Sequence, residues 1–277
     1  MNRLICAREY KLSARFGTLE NHNNKNNISN ANIINNILNN DFKSILIGSL
    51  LGDAHIRKFK EDKAFITFEQ TIEHKDYIMF IYNKLKENSI SLYDIKYYTR
   101  KDYRYNSINK SIYFKTYNLE LLKPFANMFL SEKNHKIIPL DIECHLDPIA
   151  LAYWICDDGQ LVKNGGITLC TDNYTLTEVE LLIKALVNKY NIKCTIHNKK
   201  SKTDRIYYRI YISKSSLDNI KSLLITHMHV SFYINYIFNM LIKIIKSYKE
   251  YRIIFRIYYI PIFLYKNLWH RGFFIVI

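Results

Sequence analysis

Two aspartates stand at the ends of apolar, helix-length runs of this sequence. Asp53 follows the first run, residues 45–52, in which Gly48 and Gly52 lie one helical turn apart. Asp158 comes at the end of the second run, about a hundred residues further along the chain. The carboxyl end of a helix carries the negative pole of its dipole, so an anion there lowers stability unless a cation compensates. The same unfavourable placement twice in one chain is more typical of function than of accident.

The chemistry open to such a pair is metal-assisted hydrolysis of a phosphodiester. This reaction needs an activated water, stabilisation of the phosphate charge and help for the leaving oxygen, and divalent cations held by carboxylates supply all three. Small residues such as Gly48 and Gly52 let two helix backbones approach closely, and side-by-side packing would bring Asp53 and Asp158 together. Mg²⁺ or Mn²⁺ is the expected cofactor, because Mg²⁺ needs only one or two protein carboxylates. Either aspartate alone is equally well explained as a helix-end or turn residue.

Residues 46–54 and 151–159 resemble the paired motifs of the LAGLIDADG homing endonucleases, in the intron-encoded, monomeric form that carries two motifs in one chain. Asp53 and Asp158 occupy the acidic position of the motif. The resemblance extends roughly from residue 41 to residue 228. The sequence departs from the family pattern at Ser49, at Ala54 (where glycine is usual) and at Tyr153-Trp154.

The resemblance implies an α+β fold, in which two pseudo-symmetric αββαββα halves pack through the motif helices and form a DNA-binding saddle. Hydrophobic periodicity predicts the same order of elements twice. In the first half these are a strand at 64–70, a helix at 74–88, strands at 95–100 and 111–117, and a helix at 119–130. In the second half they are a strand at 166–171, a helix at 176–190, strands at 193–198 and 206–212, and a helix at 215–225. Such a long-period duplication predicts two similar units.

The chain is accordingly divided into four segments. Residues 1–40 form an Asn-rich extension that is too polar to bury a core and is expected to be disordered. Residues 41–140 and 141–228 are the two halves, and residues 229–277 form a basic, aromatic tail without an assigned structure.

The resemblance also implies roles for residues beside the aspartates. It makes the backbone carbonyls of Gly52 and Asp157 further metal ligands, whereas the Asp157 side chain is expected to aim outward. Lys136 stands where relatives often keep a lysine, and there it would orient the attacking water or neutralise the transition state. An exposed linker lysine is the alternative. The second half has no lysine at the corresponding place, residues 228–236, so one strand-cleaving site is expected to be weaker.

The charge of the chain points to a polyanion as its partner. Forty Lys and Arg against 25 Asp and Glu give a net charge of +15, which favours nucleic acid or an anionic membrane. A sheet with basic and amide side chains on its outward face fits the major groove, where Arg and Gln read base edges and Lys holds phosphates. The candidate DNA-binding residues of the first half are Arg57, Lys58, Glu69, Gln70, Lys96, Tyr98, Arg100, Arg104 and Lys115. Those of the second half are Lys163, Thr168, Lys199, Lys200, Lys202, Arg205 and Arg209.

Other classes of site find little support in the sequence. The five cysteines include no C-x-x-C pair, which argues against a zinc site. No phosphate-binding loop, dinucleotide fingerprint or Ser/His/Asp arrangement is found. The abundance of Lys, Asn, Ile and Tyr, all encoded by AT-rich codons, indicates the AT-rich genome of an organelle such as the mitochondrion.

The sequence therefore predicts a monomeric, divalent-metal-dependent endonuclease that cuts both strands of duplex DNA at a long, asymmetric site. Two alternatives remain. The first is an RNA maturase that assists folding of its host intron RNA, using much the same basic surface without needing the carboxylates. The second is a degenerate DNA-binding protein that has lost its activity.

Overall fold

A computed structural model of the chain describes residues 39–102, 106–163, 165–201 and 204–232. Nearly all of the N-terminal extension and of the tail lies outside these residues, as do Arg104 and Lys202, two of the candidate DNA-binding residues.

The first half contains three helices and four strands in the described residues. Helix α1 spans Asn40–Leu51, and strands β1 (His55–Phe59) and β2 (Lys63–Thr71) form the first hairpin. A 3-10 turn, Ile72–His74, leads into helix α2 (Lys75–Glu87), which is followed by strands β3 (Lys96–Asp102) and β4 (Ser107–Lys115). A second 3-10 turn, Glu120–Leu122, precedes helix α3 (Lys123–Phe129).

The second half repeats this order after a short helix, α4 (Ile142–His145). Helix α5 spans Pro148–Asp158 and runs directly into strand β5 (Gly159–Leu161), which pairs with β6 (Ile167–Leu169). Helix α6 spans Leu176–Tyr190 and is followed by β7 (Cys194–Lys200), β8 (Ile206–Ile212) and helix α7 (Lys214–Ile225). A capping box begins helix α6: the Thr175 hydroxyl and the Glu178 carboxylate each accept a backbone N–H of the other residue.

The two sheets have the same topology. Both are antiparallel and four-stranded, in the orders β1-β2-β4-β3 and β5-β6-β8-β7. The predicted α+β fold with two pseudo-symmetric halves is thereby confirmed. None of the described helices is both long enough and apolar enough to cross a membrane.

Helices α1 and α5 pack against each other at the centre of the fold. Nearly every residue from Phe42 to Leu51 and from Ala150 to Cys156 is buried. A helix that is apolar on all sides must be covered on all sides, and here the partner helix covers one of them. At their amino ends the helices are tied together, because Asp147 caps α5 through the Ala150 N–H at 2.8 Å and also accepts the Ser44 hydroxyl from α1.

The close approach of the two helices depends on the glycines of α1. A Cβ atom on Gly48 would lie 2.3 Å from the Ala150 carbonyl oxygen and 2.7 Å from Cβ of Tyr153. A Cβ atom on Gly52 would lie 2.4 Å from Cβ of Asp157. Tyr153 and Asp157 are also the residues that occupy the third and seventh positions of the second motif, as Gly48 and Gly52 do in the first. Each glycine therefore faces the larger residue at the matching position of the other motif.

Each sheet covers a core with one face and leaves the other face open. Helix α2 packs on β2 and β4, and helix α6 packs on β7 and β8. Directly paired residues of antiparallel strands share a face, so the strand register defines the opposite side, which we call the open face. On the first sheet it carries His55, Arg57, Thr67, Glu69, Lys96, Tyr98, Arg100, Ser111, Tyr113 and Lys115. On the second it carries Gln160, Thr168, Thr195, His197, Lys199, Tyr207, Arg209 and Tyr211.

The structure differs from the sequence-based prediction in three places. Strands β1 and β5 were not predicted, because they are only five and three residues long and β1 buries a single side chain, that of Ile56. The strands predicted at 95–100 and 111–117 are longer toward each other, since β3 continues to Asp102 and β4 begins at Ser107. The predicted helix at 119–130 is a 3-10 turn followed by α3. The residues of β1 and β5 are mostly exposed, so no alternation of buried and exposed side chains marks these two strands.

Candidate active site

The carboxyl end of α1 is held by groups from elsewhere in the chain. The last carbonyls of a helix have no partner within the helix. Here the Tyr174 hydroxyl donates to the Leu51 carbonyl at 3.0 Å, and the Lys136 ammonium donates to the Gly52 carbonyl at 2.7 Å. The backbone N–H of Ala54 donates to the Ser49 carbonyl at 2.9 Å, and this hydrogen bond closes a turn that contains Asp53.

The two motif aspartates meet at this end of the helix pair. Gln70 donates its side-chain amide to Asp53 at 2.8 Å, and the indole N–H of Trp154 donates to Asp158 at 3.1 Å. Burial raises the pKa of Asp53, although its carboxyl group keeps contact with solvent. Burial, and after it the negative charge of Asp53, raises the pKa of Asp158 to about 7. The two helix ends are in contact, because the carboxyl group of Asp157, the residue before Asp158, accepts the backbone N–H of Asp53 at 3.3 Å.

Lys136 lies among these carboxyl groups. Its ammonium also approaches the Ala54 carbonyl at 3.4 Å and lies 5.8 Å from the centre of the Tyr174 ring. Burial lowers the pKa of Lys136 to about 8, even though Asp158, Asp53 and Asp157 all favour its charged form. The lysine is therefore part of the site and is not an exposed linker residue. Its catalytic role stays a prediction.

The Asp157 side chain was expected to aim outward, and the structure corrects this. Its carboxyl group lies across the helix interface over Gly52, where the absence of a side chain leaves room for it. One carboxyl oxygen accepts the backbone N–H of Asp53 at 3.3 Å. The Tyr77 phenol lies against the same carboxyl group, and burial raises the pKa of Asp157 well above its ordinary value. The Asp157 carbonyl stays a predicted metal ligand.

The oxygen atoms of this site fit a hard divalent cation. No group of three or more His, Cys, Asp or Glu side chains placed to hold a metal occurs among the described residues. Two carboxylates and a carbonyl are nevertheless sufficient for Mg²⁺, which completes its shell with waters and phosphate oxygens. The contact of the Lys136 ammonium with the Gly52 carbonyl shows that this oxygen faces a position favourable to a cation.

Most of the candidate DNA-binding residues lie on the open faces. Those that do are Arg57, Glu69, Lys96, Tyr98, Arg100, Lys115, Thr168, Lys199 and Arg209. The others are elsewhere: Lys58, Gln70 and Lys200 point to the opposite side of their strands, Lys163 follows β5, and Arg205 precedes β8. Gln70 is directed to Asp53 and so belongs to the acidic site.

Two acidic residues at the sheets, Glu69 on β2 and Asp172 after β6, have partners within the protein. The guanidinium of Arg209 donates two hydrogen bonds of 2.6 Å to Asp172, and this contact lowers the pKa of that carboxyl group. Lys199 lies 3.8 Å from the same carboxylate. On the first sheet the Tyr98 hydroxyl donates to Glu69 at 2.7 Å. Arg209 and Lys199 together carry one positive charge more than Asp172 neutralises, whereas Glu69 is paired with a neutral phenol.

Sequence reasoning missed four residues that contribute to the site. Tyr174, Tyr77 and Asp172 act through contacts between elements that are distant in sequence, and their spacing gives no signal. Trp154 was noted only as a departure from the motif pattern. Trp154 lies one helical turn before Asp158, and from this spacing the contact of its indole N–H with Asp158 could have been predicted.

The fold and the paired acidic helix ends define a two-motif protein of the LAGLIDADG type. The chain belongs to the LAGLIDADG DNA endonuclease family, which matches residues 43–220. Cytochrome b mRNA maturase bI2 of Debaryomyces hansenii is 33% identical to it over 182 residues, covering 65% of this chain and 67% of the relative. DNA endonuclease I-ChuI of Chlamydomonas applanata is 32% identical over 187 residues, covering 63% of this chain and 84% of the relative.

A solved structure gives a similar result. The homing endonuclease I-WcaI bound to its DNA recognition sequence matches with a TM-score of 0.61 and 26% sequence identity. The match covers 69% of this chain and 84% of that one. The relatives thus carry two different kinds of name, endonuclease and maturase.

Proposed function

We propose that the protein is a site-specific, divalent-metal-dependent endonuclease that cuts both strands of duplex DNA. The observation that carries this proposal is the contact between the two helix ends that bear Asp53 and Asp158, beside the Lys136 ammonium that donates to the Gly52 carbonyl. The basic open faces of the two sheets supply the surface for a duplex, and the I-WcaI structure contains DNA on the same fold.

The proposal assigns a role to each residue of the site. Asp53 and Asp158, with the carbonyls of Gly52 and Asp157, hold Mg²⁺ or Mn²⁺, which supplies charge stabilisation and an activated water when bound. Lys136 offsets negative charge at the scissile phosphate, and its contacts with two carbonyls fix its position. Gln70 and Trp154 orient the two carboxylates.

The decisive experiment is incubation of the purified protein with Mg²⁺ and a plasmid that carries the intronless allele of its host gene. Linear plasmid is expected in Mg²⁺ and none in excess chelator. The same plasmid with the intron inserted is the matched control, because insertion divides the target site. Uncut plasmid at saturating protein would contradict the proposal.

A maturase activity is the second candidate, and the relative from Debaryomyces hansenii favours it by name. A maturase would bind intron RNA through its basic surface and would not need the acidic site. The two activities separate in one variant: Asp158→Asn is expected to abolish DNA cleavage and to leave RNA splicing assistance unchanged. Absence of both activities in the unaltered protein would instead indicate a degenerate DNA-binding protein.

The abundance of residues that have AT-rich codons and the similarity to a cytochrome b maturase support an organellar location, and we propose the mitochondrion.

Binding to duplex DNA is expected to weaken steeply with salt. Each phosphate neutralised by Lys or Arg contributes about −0.9 to the slope of log K against log salt concentration. Replacing Lys96 or Arg100 on the open face with Gln should reduce that slope by roughly one unit each. Lys86→Gln, on the exposed side of α2, is the matched control and should leave it unchanged. A flat salt dependence measured by fluorescence anisotropy, or preference for folded intron RNA, would contradict this prediction.

The protein is expected to act as a monomer on an asymmetric site. Both acidic helix ends lie in one chain, whereas a single-motif protein needs a two-fold dimer and therefore a near-palindromic target. The matching strands β2 and β6 also differ, because Thr67, Glu69 and Gln70 in β2 correspond to the segment from Thr168 to Thr171. Light scattering should give the mass of one chain. A time course on supercoiled plasmid should show nicked intermediate; an obligate dimer would overturn the prediction.

A further inference from the structure

We propose that Tyr174 and the Asp157 side chain are positioning residues through which the second half holds the Asp53 turn of the first half. This inference rests on the proposed nuclease function and assigns a role within the same site. It concerns two contacts that cross between the halves at residues 51–53.

Tyr174 fixes the end of the helix that carries Asp53. The residue is 7% exposed, and its hydroxyl donates to the Leu51 carbonyl, one of the carbonyls that a helix end leaves without an internal partner. Its ring lies 5.8 Å from the Lys136 ammonium, which donates to the next carbonyl, that of Gly52. One side chain of the second half therefore supports both the last turn of α1 and the lysine beside it.

Asp157 holds the following residue. Its carboxyl group fills the space above Gly52 and accepts the Asp53 N–H at 3.3 Å. The hydroxyl of Tyr174 and the carboxyl group of Asp157 thus contact consecutive peptide units on either side of Gly52. With both partners in place, the backbone that sets the direction of the Asp53 side chain is fixed from the second half.

The support at Asp158 has a different origin. The indole of Trp154 donates to its carboxylate at 3.1 Å, and the Cys170 N–H donates to its carbonyl at 3.0 Å. Both groups belong to the second half. The two aspartates are therefore supported unequally. Each carboxylate is oriented from its own half, by Gln70 or Trp154, but the backbone at Asp53 is held from the opposite half through Tyr174 and Asp157. The Asp158 carbonyl is held from its own half.

The test compares Tyr174→Phe with Tyr190→Phe. Each change removes one hydroxyl that donates to a backbone carbonyl, but the Tyr190 hydroxyl donates to the carbonyl of Leu146, which lies before the amino end of α5, at 2.8 Å. Misplacement of a reacting group by about 1 Å can lower a rate about a hundredfold. In single-turnover reactions with separately labelled strands, Tyr174→Phe should lower the cleavage rate of one strand about 10- to 100-fold relative to that of the other. The affinity for the target should be unchanged. Tyr190→Phe should cut both strands at the normal ratio.

Substitution of Asp157 adds a rescue. Asp157→Asn keeps an oxygen that accepts the Asp53 N–H. It should therefore change the ratio of the two strand-cleavage rates less than Asp157→Ala, which should reproduce the Tyr174→Phe result. Equal slowing of both strands by Tyr174→Phe, or no slowing, would overturn the inference.

Amide hydrogen exchange separates this inference from the proposed function, because it needs no cleavage. Tyr174→Phe should raise exchange in peptides covering residues 50–56, and Tyr190→Phe should not. If the unaltered protein cuts neither strand, the proposed function fails, while the exchange data still decide whether Tyr174 holds the turn. Unchanged exchange at residues 50–56 would overturn the inference.

Discussion

Asp53→Asn and Asp158→Asn are each expected to lower the rate of double-strand cleavage by at least about a thousandfold. A divalent cation at a phosphoryl centre contributes several kcal/mol to transition-state stabilisation, and about 4 kcal/mol corresponds to that factor. An amide cannot supply the negative charge that holds the cation. Affinity for the target in Ca²⁺ should stay close to that of the unaltered protein, because binding depends on the open faces.

The control for this prediction is Asp94→Asn, which removes the same charge from an exposed loop before β3. It should cut at the normal rate. Cleavage rates are measured on linear target DNA under single-turnover conditions, with binding measured separately by anisotropy. Normal cleavage by Asp53→Asn or Asp158→Asn would show that the paired carboxylates are not the metal site.

Gly48→Ala is expected to destabilise the protein by about 1–3 kcal/mol, the usual cost of overpacking a core. The added methyl group would lie 2.3 Å from the Ala150 carbonyl oxygen, and no rotamer change relieves a clash between Cβ and backbone. The better helix propensity of alanine offsets at most about 1 kcal/mol of this cost. The two motif helices would have to move apart, so cleavage should fall together with stability.

Ser49→Ala is the matched control on the neighbouring residue. The Ser49 side chain is fully buried, and its hydroxyl has no hydrogen-bond partner within the part of the chain that the structure describes. Removing an unpaired buried hydroxyl should leave the free energy of unfolding unchanged or raise it. Urea midpoints for the three proteins give the comparison, and a Gly48→Ala variant as stable as the unaltered protein would contradict the packing argument.

The sequence alone predicted those features of the fold that depend on local pattern. The buried helices read as unbroken apolar runs, and α2 and α6 show the i, i+3, i+4 spacing of one buried face. Strand β2 alternates buried and half-buried residues, as an antiparallel strand with one covered face should. Strands β1 and β5 lack this pattern because their side chains are mostly exposed.

For the site, the sequence predicted the acidic pair but not its surroundings. Asp53 and Asp158 were identified because each breaks a helix rule in the same way. Tyr174 could not be found in this manner, because a tyrosine that donates to the Leu51 carbonyl 123 residues away follows from tertiary packing alone. The prediction that the Asp157 side chain aims outward was wrong for a related reason: the space that receives this side chain is created by a glycine on the other helix.

The pairing of Gly48 with Tyr153 and of Gly52 with Asp157 has a consequence for assembly. Two copies of the first motif helix would bring glycine against glycine, which allows close approach. In two copies of the second motif helix, Tyr153 would meet Tyr153 and two Asp157 carboxylates would repel each other. The second motif helix therefore fits a partner that carries glycine at both positions, and it does not fit a copy of itself.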